Sequence, residues 1–315
     1  MVVPVARILR ALVTIVVIGL AATASAAAVP IWPLELFEHL RVQAAVLGIL
    51  LTAIAFALRL AVADAGAIAT LIHVCSLLPA APMTQMPTHG TRVRVLVLNV
   101  LKTSSSFAEV RRLIDDTDPD VIGLVEVDQR WNDALAPSLV EYGGRLEAPR
   151  DNFSGMALYA RGPVTGAVEG PGVDRPSIVA QVTIGPATFS VIVAHPLPPI
   201  TSAWSAMHDD ELGRLAERAR DLSRVLLIGD FNVTPWSRSF RDLLAVSGLC
   251  DSRDGFGLQA TFPTSPAWLR IPIDHVLHTC SFGVTARRVE RDVGSDHLPV
   301  VVDLVIPPVS ARVGQ

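Results

Sequence analysis

The sequence predicts a mixed α/β domain, two mixed β-sheets packed together with helices outside, preceded by an apolar helical region. Three observations carry this. Beyond about residue 85, short β-branched runs alternate with helical segments and tight turns. Several of these runs meet ionisable residues at their ends: Val121-Ile122-Gly123-Leu124-Val125 stops at Glu126, Val225-Leu226-Leu227-Ile228 stops before Asp230, and Leu298-Pro299-Val300-Val301-Val302 follows His297. Before residue 85, the chain carries no charge between Arg10 and Glu35, between Arg41 and Arg59, or from Ala65 to Met86.

The uncharged stretches set the organisation. A membrane span needs roughly 20 apolar residues, with about 17 as a lower limit. The chain is 50% hydrophobic, and the excess is concentrated here, which predicts three transmembrane helices near 8–29, 40–60 and 65–82. Arg41 and Arg59 would snorkel to the interfaces. The predicted division is a transmembrane region over 1–85, a linker over 86–90, a catalytic domain over 91–308 and a tail over 309–315. Arg7 and Arg10 ahead of the first span favour a cytoplasmic N-terminus, and three spans then place the domain outside the cytoplasm. The alternative, a signal peptide cleaved at Ala24-Ser25-Ala26, leaves two spans and the same extracytoplasmic domain. The expected location is therefore the cell membrane, multi-pass, with the lipid bilayer as a partner.

Cysteines and charge bound the function further. Cys75 falls in the third span, while Cys250 and Cys280 either pair in an oxidising compartment or stand as two small core residues. No spacing resembles a zinc site. Four basic and three acidic residues precede residue 84, which leaves 22 basic, 27 acidic and a net charge of −5 beyond it. A domain that grips long nucleic acid is usually basic, so this balance argues against a tight DNA binder.

In chain order, Val93–Asn99 reads as a strand, and Ser106 with Glu109 as a capping box for a helix running to about Asp116. Asp118-Pro119-Asp120 is a turn, Val121–Val127 a strand, and a helix carrying Trp131 follows. Met156–Ala160 is a strand, and Ile178–Ile184 and Phe189–Ala194 form a hairpin about Gly185-Pro186. Residues 203–222 and 237–246 read as helices flanking the strand Val225–Ile228. Ile273–His278, Phe282–Val289 and Leu298–Val305 are the last strands. Residues 143–155, 163–176 and 252–272 read as loops.

The chemistry-bearing residues form an ordered set: Leu98-Asn99-Val100, Glu126, Asp151-Asn152-Phe153-Ser154-Gly155-Met156-Ala157, His195, Gly229-Asp230-Phe231-Asn232, Ile273-Asp274-His275 and Ser295-Asp296-His297. Singly each has a structural explanation: a turn carboxylate, a hydrogen-bonded histidine. Together and in order they resemble the endonuclease/exonuclease/phosphatase superfamily, over roughly residues 91–306, and in particular its membrane-anchored bacterial members. The resemblance implies a four-layer α/β sandwich and metal-dependent hydrolysis of phosphate esters. Glu126 and Asp296 are hard oxygen ligands suited to Mg²⁺, with Mn²⁺ as the alternative, and the resemblance places Asn99 with them at the metal. It makes Asp230 the general base towards water, Asn232 a phosphate-binding or Asp230-orienting residue, and His297 the phosphoryl stabiliser or acid, its tautomer set by Asp274. His195 would serve the leaving group, and Asn152 would line the cleft. The expected substrate is a phospholipid headgroup, nucleic acid or small phosphodiester.

Two further readings of the sequence stand beside this one. Met207-His208-Asp209-Asp210-Glu211 looks like a metal cluster, but acidic residues early in a helix serve its dipole. A catalytically inactive binding module of the same fold is the alternative function. It would have no need to keep the whole carboxylate, amide and histidine set, and metal-dependent activity separates the two.

Overall fold

The computed structural model describes residues 5–26, 32–78, 87, 89–170 and 175–308. The predicted tail, residues 86 and 88 of the predicted linker, and the predicted span ends at 27–29 and 79–82 lie outside the described residues.

Two six-stranded sheets form the centre. The first has the order β11-β12-β1-β2-β4-β3, from β1 (Thr91–Asn99), β2 (Val121–Val125), β3 (Gly144–Ala148), β4 (Met156–Ala160), β11 (Gly283–Val289) and β12 (Val300–Ile306). The second has the order β5-β6-β7-β8-β10-β9, from β5 (Val164–Glu169), β6 (Ser177–Ile184), β7 (Ala187–Ala194), β8 (Val225–Asp230), β9 (Leu249–Asp251) and β10 (Asp274–Thr279). Each sheet holds one parallel pair at its middle, β1 with β2 and β7 with β8, and is otherwise antiparallel. The carboxyl ends of both parallel pairs reach the same edge of the sandwich.

The alternation along β1 shows why the layers stack. Val93, Val95 and Val97 join Val191, Val193 and Ile228 between the sheets. Leu96 and Leu98 face the other way, onto Leu113 and Trp131 of α4 (Phe107–Thr117) and α5 (Gln129–Leu135). On the far side, Ile192 and Leu227 meet Leu212 and Phe240 of α6 (Ser202–Arg220) and α7 (Arg238–Ser247). A strand buried on both faces must be apolar throughout, hence the unbroken runs. Burying each such side chain contributes about 1.5–3 kcal/mol. The result is the four-layer α/β sandwich that the resemblance implies.

Some local expectations fail. Ser106 occupies the N-cap of α4 but makes no capping bond with its side chain. Its hydroxyl instead lies against Gly294, where a Cβ would come within 2.0 Å of it. The residues expected as loops at 143–155 and 163–176 contain β3 and β5, and β9 was also not foreseen. The disulfide Cys250–Cys280 forms and ties β9 to the turn after β10.

The N-terminal region folds as α1 (Val5–Ala26), α2 (Arg41–Ala57) and α3 (Ala63–Cys75), with a 3-10 turn over Leu34–Leu40 leading into α2. Two stretches, Val5–Ala24 and Leu34–Ala57, are long and apolar enough to cross a membrane. The third predicted span is shorter than expected: α3 has 13 residues, about 20 Å at 1.5 Å per residue against a hydrocarbon core of about 30 Å. Small residues let the helices approach, as where Gly48 faces Thr70 and Gly66 faces Thr52.

Candidate active site

The site is assembled where the two sheets meet. β8 ends in Gly229-Asp230, and a Cβ on Gly229 would lie 1.9 Å from the Ala194 carbonyl oxygen, with φ at +143°. Only glycine lets β7 come this close. The approach sets His195, which follows Ala194, beside Asp230, with Nε2 3.4 Å from Oδ2. Its Nδ1 donates to the Phe153 carbonyl at 3.0 Å, which aims Nε2 at the carboxylates.

The other sheet supplies Asn99 at the end of β1 and Glu126 just past β2. One Asn99 amide nitrogen donates to Glu126 Oε1 at 2.9 Å and to Asp230 Oδ2 at 3.1 Å, joining carboxylates from the two sheets. Its oxygen accepts from the Leu101 backbone at 3.0 Å, so Asn99 positions the carboxylates through its nitrogen. Glu126 ends the strand in the left-handed region (φ 61°), as do Leu101 (φ 56°) and Asn232 (φ 52°). Three non-glycine residues in this conformation at one site are stored strain, about 1 kcal/mol or more each. Lys102 donates its backbone N–H to Glu126 Oε2 at 3.2 Å.

Asp230 is 1% exposed. Burial opposes its charge, but His297 and then His195 outweigh it and hold the carboxyl far below the usual carboxylate range. Asn232 donates its backbone N–H to Asp230 Oδ1 at 2.9 Å and its amide to the Pro196 carbonyl at 3.0 Å, which locks the turn after β8 onto the turn after β7. On the opposite side, His297 Nδ1 donates to Asp274 Oδ2 at 2.9 Å while Nε2 lies 3.5 Å from Asp230 Oδ2. Burial disfavours its cation, yet Asp274 and Asp230, helped by Asp296, push its pKa up to about 10. Phe262 covers the ring at 4.7 Å.

The donor set fits a hard divalent cation. Glu126 and Asp230 point oxygens at one amide from separate sheets, an arrangement of convergent anions that a cation relieves. Asp230, Asp274 and His297 also have potential ligand atoms within 4.8 Å of one another. There, however, both His297 nitrogens face carboxylates, so the imidazolium itself supplies the positive charge. Of the predicted ligands, Asp296 neighbours His297 and its carbonyl accepts from Thr264 at 2.7 Å. Asn152 is exposed, and its oxygen accepts from Ser154 N–H at 2.9 Å, which shapes the loop that presents Phe153 to His195.

Several contributors escaped the sequence reading. His208 Nε2 bonds the Phe231 carbonyl at 3.0 Å, and Glu211 Oε2 accepts from Leu197 N–H at 2.8 Å. These members of the acidic run therefore brace the turns that follow Asp230 and His195. Ser295 donates its hydroxyl to the Asn99 carbonyl at 2.7 Å, linking the last motif to the first.

Residues 96–297 match the Endonuclease/Exonuclease/phosphatase family, more than half of the chain. The chain belongs to this family. Among solved structures, an endonuclease/exonuclease/phosphatase from Beutenbergia cavernae is 21% identical with a TM-score of 0.55, covering 69% of this chain and 72% of its own. D. rerio TDP2 complexed with a single-strand DNA product is 16% identical with a TM-score of 0.57, covering 69% of this chain and 100% of its own. The 3' phosphatase NExo from Neisseria, bound to a product DNA hairpin, is 19% identical with a TM-score of 0.54, covering 67% and 98%. At these identities the likeness is one of fold. No curated protein matches the chain in sequence.

Proposed function

We propose that this family member is a membrane-tethered, divalent-metal-dependent phosphoesterase with its catalytic domain, residues 91–308, outside the cytoplasm. The observation that carries the reading is the Asn99 amide held between Glu126 and Asp230, with His195 and His297 converging on the same Asp230 oxygen, Oδ2. Glu126 and Asp296 would hold Mg²⁺ or Mn²⁺, which supplies Lewis-acid charge neutralisation of the phosphoryl oxygens. Asp230, kept ionised, orients the attacking water and accepts its proton as the water oxygen bonds to phosphorus. The ester P–O bond breaks, and His195 would protonate the departing oxygen. His297, held cationic, neutralises charge on the phosphoryl oxygens, and Asn232 fixes Asp230. The products are a phosphate with one ester fewer and an alcohol.

Two helices long enough to span a bilayer support the tether. The Cys250–Cys280 disulfide supports an oxidising, extracytoplasmic compartment. The test is hydrolysis of a soluble aryl phosphodiester with Mg²⁺ or Mn²⁺, with the Asp230→Ala chain as the blank. The expected loss is about 10²–10⁴-fold; equal rates in both proteins would refute the assignment.

A further inference from the structure

The chain enters the catalytic domain at Thr91, the end of β1 remote from Asn99, about 26 Å away at 3.3 Å per residue. A tether attached there would leave the site free to face any direction. The segment leading into α2, with that helix's first turn, nevertheless touches the opposite, catalytic end. Trp32 Nε1 donates to the Pro199 carbonyl at 3.3 Å, and Ser205 donates to Glu35. His39 bonds Thr234 at 3.1 Å, two residues beyond Asn232. Trp236 Nε1 donates to the Glu38 carbonyl at 2.6 Å, and Arg238 N–H to the Glu38 carboxylate at 3.0 Å. Gln43 donates to the carbonyls of Trp268 and Arg270, each at 3.3 Å. The segment from Trp32 to Gln43 thus grips the chain that follows His195, the chain that follows Asp230, and the 261–271 loop, which itself bonds the Asp296 carbonyl through Thr264.

This segment leads into α2, with α1 just before it, and those helices leave most of their apolar surface uncovered: only 17% and 28% of their spanning windows are buried. A bilayer crossed by those helices would have its surface close to the docked segment. Around it the domain exposes large apolar side chains: Ile200 at 58%, Trp204 at 39% and Trp268 at 73%, beside Trp32 and Phe37 of the segment itself. Tryptophans favour the membrane–water interface.

We infer that the Trp32–Gln43 segment docks the catalytic end of the sandwich onto the bilayer, so that the site acts on phosphoester lipids lying in the same membrane. This rests on the phosphoesterase reading for its chemistry, while the orientation stands on the contacts alone. A lipid headgroup at the interface meets the site without leaving the bilayer, which accounts for the apolar rim and the acidic domain better than a nucleic-acid ligand does.

Orientation is measured first, on the full chain with Cys75→Ser in phosphatidylcholine vesicles containing phosphatidylglycerol and phosphatidic acid. A fluorophore at Ile200→Cys is expected to be quenched by spin-labelled lipid headgroups, and one at Thr285→Cys, at the remote end, is not. Equal quenching, or quenching at Thr285 alone, overturns the inference. Glu38→Ala with His39→Ala, or the milder Gln43→Ala, is expected to release the dock. Lipid hydrolysis would then fall by at least about tenfold, as effective concentration does when geometry no longer permits joint engagement, while the soluble aryl phosphodiester is cleaved as before. Preference for a single-stranded oligonucleotide over the vesicle lipids would also overturn it. Quenching at Ile200 without cleavage of the aryl diester would uphold the orientation and remove the hydrolase reading.

Discussion

Replacing Asp274 by Asn isolates the charge on His297. The two groups bond at 2.9 Å in a buried setting, and Asp274 is the chief support of the imidazolium against desolvation. At a charge separation of about 4 Å and an effective dielectric constant of about 20, the attraction is about 4 kcal/mol. At 1.36 kcal/mol per decade that is about three decades of proton affinity. His297, with its pKa at about 10, would return to the neutral range, about pH 7, in the Asn variant. The wild-type cation persists across neutral pH and is lost only in alkali, so activity of the variant should fall as pH rises through neutrality. The assays are the NMR titration of the His297 ring and the pH profile of kcat/KM. A wild-type ring titrating near its ordinary value, or identical alkaline limbs in both proteins, would refute the reasoning.

Gly229→Ala should destabilise the domain by more than about 3 kcal/mol, the scale of severe steric changes, because its Cβ would strike the Ala194 carbonyl; urea unfolding measures this. Removing the disulfide with Cys250→Ser and Cys280→Ser frees a separation of 30 residues, and the chain-entropy relation predicts a loss of about 3–4 kcal/mol, read as a lower unfolding midpoint. Stability should also respond to pH at both ends. His297 binds its proton more tightly folded than unfolded, so its contribution is full below its ordinary pKa and disappears as pH rises through about 10. Asp230 is the reverse case: its contribution is present above the ordinary carboxylate range and is lost in acid. Thermal melts across pH test both. EDTA should abolish hydrolysis of the aryl phosphodiester while circular dichroism remains unchanged.

Strands covered on both faces were legible because burial demands unbroken apolar runs, as in Val121–Val125 and Val225–Ile228. The missed strands lie at edges. In β3, Arg145 and Glu147 are exposed, and in β5, Thr165 to Ala167 are, so partial cover leaves no apolar signature. β9 is only three residues long. The third span was overextended because uncharged, Ala-rich composition continues beyond Cys75, where the helix has already ended in turns. The polar residues that the strand ends bring together were readable by type and order. The bracing roles of His208 and Glu211, and the grip of Glu38 and His39 on the domain, were not. Those depend on contacts between segments far apart in sequence, for which local pattern carries no code.

The seam between the sheets has a consequence of its own. Asn99 and Glu126 ride on one layer and His195 and Asp230 on the other, so the valine-rich interior acts as a gauge block for the chemistry. Ile228 fits over Gly123, where an added Cβ would lie 2.6 Å from it. Wedging a methyl there would slide one half of the machinery past the other. Turnover would then decline while the molecule still melted as a folded protein.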